Sequence, residues 1–324
     1  MGYTTGEKML DDEYNTFVNS SSSPYGYNHF AGTGALNYGL GLTHIGVVGA
    51  GDKVTVSQWN TLFTAVGNIA NHTNDSLTAT SSQLSTAGDK IAVRSALVTD
   101  LATLAASVAG GCTSATAISA GSELQSSTSS TRWAGSHIVE HSITFSSNAN
   151  LRHFFNAGGT MRMTFTRNSN GGGSATSKDS SVDELISAVG NFDLKAATST
   201  RSGSGETVTT NGLSNGIYDL GTSYTVLLKL TQSSGTYTSM YIDIQAKLNA
   251  APASAVTVTM YYRIVDADGG DSEFTSGNLS SVDQYANFIG TTDFSTRIVA
   301  PTTGEGLASV ATIASSAVVS NNTT

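Results

Sequence analysis

"SHIVEHSITF", residues 136–145, decides between two fold classes for this chain. It contains His-x-x-Glu-His, the signature in which two histidines and a glutamate on one helix build a zinc protease site. The pattern favours a strand instead, because apolar and polar residues alternate from Val139 to Phe145. In a strand, His137 and His141 would stand about 13 Å apart, from roughly 3.3 Å of rise per residue, too far to share a zinc ion. The sequence therefore predicts a half-buried strand and no metal site at these histidines or at Glu140.

The chain beyond this stretch continues in the same pattern. Every second residue is apolar in 240–248 and again in 256–264, and "SYTVLLKLTQ" at 223–232 predicts a third strand. One interruption, "SSVDELISAVGN", predicts a short helix with Ser181 as its N-cap and Gly190 as its stop. Several strands with polar outer faces and one helix predict a mainly antiparallel, jelly-roll-like β-sandwich.

The first 112 residues predict short amphipathic helices. Apolar residues recur at helical spacing in three segments, with Tyr14, Phe17 and Val18 in the first, Trp59, Leu62, Phe63, Val66, Ile69 and Ala70 in the second, and Leu97, Leu101, Leu104 and Val108 in the third. Thr55 and Gln58 predict a capping box before the second helix. The tetrapeptide Gly51–Val54 recurs with one conservative change as Gly88–Ile91, which makes a weak internal repeat.

The chain is therefore predicted to be α+β. Residues 1–112 form a helical, loop-rich assembly region, the polar stretch 113–131 is a linker, and residues 132–324 form the β-rich domain. Helices this short are marginal alone, so the apolar faces led by Trp59 and Phe63 must pack on each other, on the β domain or on a neighbouring subunit. We expect a homo-oligomer in which residues 1 to about 110 supply much of the contact, with a trimer as the first expectation.

The composition argues against several classes of protein. Charged residues make up 12 % of the chain, while 90 residues are Ser or Thr, which suits assembled or extracellular β proteins. A net charge of −9 disfavours a nucleic-acid partner, and the single Cys112 excludes a disulfide framework within the chain. The N-terminus lacks the features of a signal peptide and no apolar run is long enough to span a bilayer, so we expect synthesis and solubility in a cytoplasm.

No constellation of residues predicts an enzyme. There is no G-x-S-x-G elbow and no P-loop, and His153 is interpreted as a packing residue. The acidic run Asp266, Asp268, Asp271 and Glu273 departs from the EF-hand pattern; a solvated turn is the first interpretation and a weak calcium site the alternative. We therefore assign no catalytic, cofactor-binding or metal-binding residue.

The order of four segments resembles a family of virion structural proteins from tailed bacteriophages, the T4-like and cyanophage-type myoviruses. The matching elements are an acidic-Tyr-Asn helix, a glycine-tyrosine loop, a helix that ends near a histidine, and a Phe-Phe-Asn-Ala-Gly-Gly block, at Asp12–Tyr14, Tyr25–Tyr27, Gly51–His72 and Phe154–Arg162. In the last block we predict a hairpin, with Phe154 and Phe155 at a strand end and Gly158-Gly159 in a tight turn.

The resemblance implies a structural role in the virion, in the tail, baseplate or fibre, with other virion proteins as partners. Two alternatives stay open: a module that binds a host-surface glycan or protein, and a decoration protein of the capsid or neck. Tyr237, Tyr241 and Tyr261 are the candidate sugar-stacking residues for the binding module, although packing on the sheet is their first interpretation.

Overall fold

The computed structural model describes residues 11–78, 94–112, 123–129, 132–133, 135–168, 177–235, 237–267, 288–301 and 313–323. The chain forms two compact units. Unit 1 contains the described residues of Met1–Ser119, Ala149–Gly159 and Ala300–Ala311, and unit 2 those of Ala120–Asn148, Thr160–Val299 and Thr312–Thr324. The predicted α+β class is confirmed. No helix in the described ranges is long and apolar enough to cross a bilayer.

Unit 1 is a helical unit with its own core. Its helices are α1 (Asp11–Asn19), α2 (Tyr27–Ala31), α3 (Val56–Thr73), α4 (Arg94–Ala109) and most of α5 (Asn148–Asn156). The predicted capping box opens α3, because the Thr55 hydroxyl accepts from the Gln58 backbone N–H while the Gln58 side chain accepts from the Thr55 N–H. The predicted apolar faces are buried together, with Trp59 at 1 % and Phe63 at 2 % exposure. The apolar faces that the sequence predicted to need a packing partner are therefore buried within unit 1.

Two asparagines hold an extended loop of unit 1 by its backbone. The Asn15 amide accepts from the Val48 N–H at 2.7 Å and donates to the Val48 carbonyl at 2.8 Å. Asn28 makes the same pair of bonds with Ile45, at 2.8 and 2.9 Å. Each side chain thus replaces a neighbouring strand, because it satisfies both the donor and the acceptor of one backbone residue.

The hairpin predicted at Phe154–Gly159 is wrong: residues Asn148–Asn156 form helix α5. Two polar side chains of α5 donate hydrogen bonds to loop carbonyls of unit 1. Arg152 donates to Thr33 and Ala35, and Asn156 donates to Tyr38 and Gly39, at distances of 2.6–3.2 Å. These tertiary bonds favour the helix over the strand that the two phenylalanines suggested. The turn after α5 is as expected, with a positive φ of 93° at Gly158.

Gly159→Ala is expected to lower the free energy of unfolding by about 1–3 kcal/mol, because overpacking costs energy in this range. A Cβ at Gly159 would lie 2.5 Å from the Phe154 carbonyl oxygen and 2.7 Å from its ring. The matched control is Gly67→Ala within α3, where an added Cβ meets nothing within 4 Å. That variant should gain about 0.5–1 kcal/mol from helix propensity. Equal melting temperatures for both variants would contradict the close approach at Gly159.

Unit 2 is an antiparallel β-sandwich. Its larger sheet has the order β13-β3-β10-β9-β8-β7 and its smaller sheet the order β1-β12-β4-β5-β6, while β11 pairs with β2. The strands are β1 (Glu123–Thr128), β2 (Arg132–Trp133), β3 (Ser136–Phe145), β4 (Thr160–Asn168), β5 (Phe192–Leu194), β6 (Ser199–Arg201), β7 (Thr207–Asn211), β8 (Thr225–Thr231), β9 (Tyr241–Leu248), β10 (Thr257–Val265), β11 (Phe288–Ile289), β12 (Thr291–Val299) and β13 (Ile313–Thr323). Strand β1 lies within the stretch predicted as a linker.

The core of unit 2 lies between the two sheets. The predicted alternation in β9 and β10 is confirmed, since Ile242, Ile244, Ala246, Leu248, Val258, Met260, Tyr262 and Ile264 are all buried. Tyr262 from the larger sheet stacks on Phe294 from the smaller one, with ring centroids 5.7 Å apart, and Phe165 meets both rings edge-on. These aromatic contacts join the sheets and add to the burial of apolar surface.

The helix of unit 2 begins earlier than predicted, because α6 spans Ser177–Val189 and the predicted N-cap Ser181 lies inside it. Its first turns carry buried charges. Lys178 pairs with Asp266, and Arg167 of β4 bonds Asp179 at 2.9 Å and Asp183 at 2.6 Å. The predicted stop is correct, since Gly190 follows the helix with a positive φ of 61°.

Candidate functional site

The two histidines of β3 face the interior of the sandwich. The strand alternates as predicted, with His137 and His141 fully buried and Glu140 on the opposite, half-buried face. A metal site that uses Glu140 with the histidines cannot form on this strand, because neighbouring residues point to opposite faces. No group of three His, Cys, Asp or Glu suited to a metal occurs among the described residues. Of the acidic run at 266–273, Asp268, Asp271 and Glu273 lie outside the described residues, and Asp266 pairs with Lys178.

His141 of the larger sheet binds hydroxyl groups of the smaller sheet. Its Nε2 lies 2.8 Å from the Ser127 hydroxyl and its Nδ1 lies 2.9 Å from the Thr296 hydroxyl, which also meets the Tyr262 hydroxyl. The order hydroxyl–imidazole–hydroxyl superficially resembles a serine protease triad, but a threonine stands where the triad has a carboxylate. All four residues are buried. The network therefore satisfies polar groups inside the sandwich and ties the sheets together.

Burial lowers the pKa of His137 and of His141 to about 4. The unfolded chain binds these protons at an ordinary pKa of 6.5, so the stability is complete above about pH 6.5 and is lost as the pH falls towards 4. We expect His141 to remove about 2 kcal/mol of stability between pH 7 and pH 5. The measurement is chemical unfolding at several pH values, in which His141→Gln should show a loss smaller by that amount. Identical profiles for the parent and His141→Gln would contradict the burial effect.

The candidate functional site is the outer face of the larger sheet. Three tyrosines and three cations meet there, and we call them the tyrosine face: Tyr224, Tyr241, Tyr261, Lys229, Lys247 and Arg263. They come together because the residues facing outward on β8, β9 and β10 align across the register, with Arg263 opposite Asp243 and Asp243 opposite Lys229. Of the predicted stacking residues, Tyr241 and Tyr261 lie here half-buried, but Tyr237 is buried at 3 % exposure and is unsuited to a ligand.

Cations cover two of the ring faces. The Lys229 Nζ lies 3.9 Å from the centroid of Tyr241, and the Lys247 Nζ lies 4.1 Å from that of Tyr224. Arg263 contacts both Tyr241 and Tyr261, at 5.4 and 5.8 Å. A sugar ring could stack on Tyr241 or Tyr224 only after a lysine moved aside, which its flexible stem allows.

A buried carboxylate anchors the tyrosine face. Asp243 is 1 % exposed, and its Oδ2 accepts from Arg263 at 2.7 and 3.0 Å and from Gln245 at 2.9 Å. Its Oδ1 is buried and has no hydrogen-bond partner among the described residues. Burial, and then the nearby Glu140, raises the pKa of Tyr224, so this phenol stays protonated and can donate. The arrangement offers donors, an acceptor and partly covered rings, which are the groups that bind polar ligands and not the groups of a nucleophile.

The sequence found two of these residues, Tyr241 and Tyr261, through their positions in predicted strands. It missed Asp243 and Arg263, although both lie at outward positions of the same two strands. The alternation of each strand shows that both residues point outward. Their pairing across the two strands can be seen only once the strand register is known. No protein-family model, curated protein or solved structure matches this chain.

Proposed function

We propose that the chain is a structural subunit of a tailed-phage virion, in the tail, baseplate or fibre, with other virion proteins and copies of itself as partners. The segment resemblance supports this, and so do the roles of residues within and directly after those segments. Asn15, Asn28, Asn156 and Gly158 hold loops and turns in place, as expected for a motif that specifies packing. Trp59 and Phe63, which led the apolar faces predicted to need a partner, are buried inside unit 1, so they do not themselves supply a subunit contact.

The observation that carries the proposal is the edge strand β13. It is 11 residues long, has no charged residue, and exposes Val318 at 41 % and Val319 at 56 %. Soluble monomers usually shield such edges with charges or proline, because an open edge pairs with other chains. The edge is partly covered, because Ser316 and Asn321 donate to the Leu124 and Thr128 carbonyls of β1, and register shifts at Ile313/Ser315 and Val318/Ser320 interrupt it. The part exposed for pairing is therefore the segment around Val318 and Val319.

The opposite edge of the same sheet, β7, has matching properties. Its five residues, Thr207–Asn211, are all exposed and uncharged, and Val208 is 40 % exposed. We infer that β13 of one copy pairs with β7 of the next, since neither edge carries a charge that would repel the other. Such a head-to-tail contact closes into a ring when the rotation permits, and a trimer is the first expectation.

The test is sedimentation of the full chain together with mass spectrometry of purified particles. We expect a multi-copy virion protein, a trimer in isolation, and monomers for Val318→Lys/Val319→Lys and for Val208→Lys. The matched control is Val47→Lys in unit 1, where the valine is 55 % exposed, and this variant should remain a trimer. A dimer disrupted only by the β13 substitutions would contradict the head-to-tail contact. Absence from purified particles would contradict the virion role.

A host-surface binding module is the second candidate, and the tyrosine face is the observation that favours it. In this case, Tyr241→Ala with Tyr261→Ala should reduce adsorption of the phage to its host while particles assemble in normal number. Loss of assembly in the same variant would instead favour a structural role for the face. Labelled particles viewed by electron microscopy would separate the tail, baseplate or fibre from the capsid and neck.

A further inference from the structure

The outer face of the smaller sheet carries a row of four charges, separate from the tyrosine face. Arg297 of β12 lies directly opposite Arg162 of β4 in the register, and each arginine is flanked by an acid on its other side, Glu123 of β1 and Asp193 of β5. Two like charges in direct cross-strand positions destabilise a sheet. Here each guanidinium forms an ion pair on the side away from the other arginine. Arg162 pairs with Asp193 at 2.7 Å, and Arg297 pairs with Glu123 at 3.1 Å.

Both arginines keep donors that no described residue uses. Arg162 binds Asp193 through Nε and Nη2, and its Nη1 has no partner among the described residues. Arg297 binds Glu123 through Nη2 alone, and its buried Nε lacks a hydrogen-bond partner within the same part of the chain. A buried guanidinium N–H without an acceptor is costly. Because the two arginine side chains are also partly exposed, at 33 % and 43 %, their remaining donors can bind an acceptor from a ligand.

A cleft of about 610 Å³ lies over this pair, lined by both arginines and by side chains from β4, α6 and the segments after α6 and β6. Its other polar lining is uncharged and comes from Thr164, Thr166, Ser187, Asn191 and Ser202. Hydroxyl and amide groups exchange hydrogen bonds with sugar hydroxyls, and a planar guanidinium matches a carboxylate. We propose that this cleft binds an acidic saccharide, with the carboxylate of a uronic acid between Arg162 and Arg297.

The charge balance selects the class of ligand. Glu123 and Asp193 already offset both arginines, and the described residues that line the cleft include no third cation. A single carboxylate group between the arginines therefore fits better than a phosphate group, which would bring two charges to the same place between the flanking carboxylates. The inference rests on this cleft alone and does not depend on the virion proposal.

Isothermal titration of the full chain with trigalacturonate tests the proposal, with maltotriose as the uncharged saccharide. We expect trigalacturonate to bind and maltotriose to bind at least about tenfold more weakly. Arg297→Gln should weaken trigalacturonate about ten- to hundredfold, the range for a lost charge-assisted hydrogen bond. Arg297→Lys should give an intermediate loss, because it keeps the charge but loses the planar fork.

The matched control is Lys247→Gln, which removes a cation from the tyrosine face without breaking a buried ion pair and should leave trigalacturonate binding unchanged. Arg297→Gln itself should stay folded, since its partner Glu123 is 43 % exposed and leaves no buried charge; an unchanged circular dichroism spectrum verifies this. Three results would each overturn the proposal: no binding of trigalacturonate at millimolar concentration, equal binding by the parent and Arg297→Gln, or inorganic phosphate that competes as tightly as the saccharide.

Discussion

Lys178→Met is expected to lower the free energy of unfolding of unit 2 by about 3–5 kcal/mol, the cost of removing one partner from a buried ion pair. Lys178 is fully buried and Asp266 is 7 % exposed, and the two side chains form an ion pair near the ring of Tyr237. Without the ammonium group, Asp266 must either keep a charge with less compensation or take up a proton, and both cost free energy. Urea unfolding followed by circular dichroism measures the change.

The double variant Lys178→Met/Asp266→Leu separates the ion pair from its surroundings. We expect it to regain most of the stability, because apolar residues of similar volume often replace a buried pair without loss. Glu123→Gln is the matched exposed control, since both partners of that pair are 43 % exposed, and it should change stability by less than about 1 kcal/mol. If Lys178→Met were as stable as the parent, the buried ion pair would not contribute to stability. It would then not explain why α6 begins before the predicted N-cap.

Asn28→Ala is expected to destabilise unit 1 by about 2–4 kcal/mol. The substitution removes two hydrogen bonds and leaves the N–H and the carbonyl of half-buried Ile45 without their side-chain partner. Each backbone group left unsatisfied in a buried position costs about 1–3 kcal/mol. Thermal unfolding of the variant and of the parent chain, followed by circular dichroism, measures the difference.

Asn28→Asp tests the mechanism, because a carboxylate still accepts from the Ile45 N–H but cannot donate to its carbonyl. It should therefore lose stability although it is nearly isosteric. Asn19→Ala, at an exposed position at the end of α1, is the control and should change stability by less than about 0.5 kcal/mol. Equal stability of Asn28→Ala and Asn19→Ala would show that water replaces the amide without cost.

Local periodicity predicted the helices α1, α3 and α4 and the strands β3, β8, β9 and β10. The strand at 136–145 and the alternation in β9 and β10 follow from burial on one face only, and the three N-terminal helices follow from their 3.6-residue spacing. The start of α6 was missed because its first residues, Lys178 and Asp179, are polar. Both are buried and form ion pairs with Asp266 and Arg167, and no local sequence pattern predicts those partners.

Helix α5 shows where local reasoning fails. Phe154 and Phe155 favour strands by propensity, and the Gly pair after them suggested a hairpin. The helix is fixed by Arg152 and Asn156, whose acceptors lie more than 100 residues earlier in the chain. The tyrosine face was only partly predictable for a similar reason: each strand shows which residues point outward, but the pairing register decides which of them meet.

The position of α5 in the chain constrains the order of synthesis. Unit 1 includes Ala149–Gly159, yet residues 120–148, which contain β1 and β3 of unit 2, are translated before it. A ribosome that has released only the first 112 residues has therefore produced helices whose loops still lack the amide of Asn156, and whose His72 lacks the Ala157 carbonyl that it meets at 2.9 Å. The amino-terminal helices are completed only by a segment that is translated after strands β1, β2 and β3 of unit 2. The two units therefore cannot be produced as independent fragments by dividing the gene at one point.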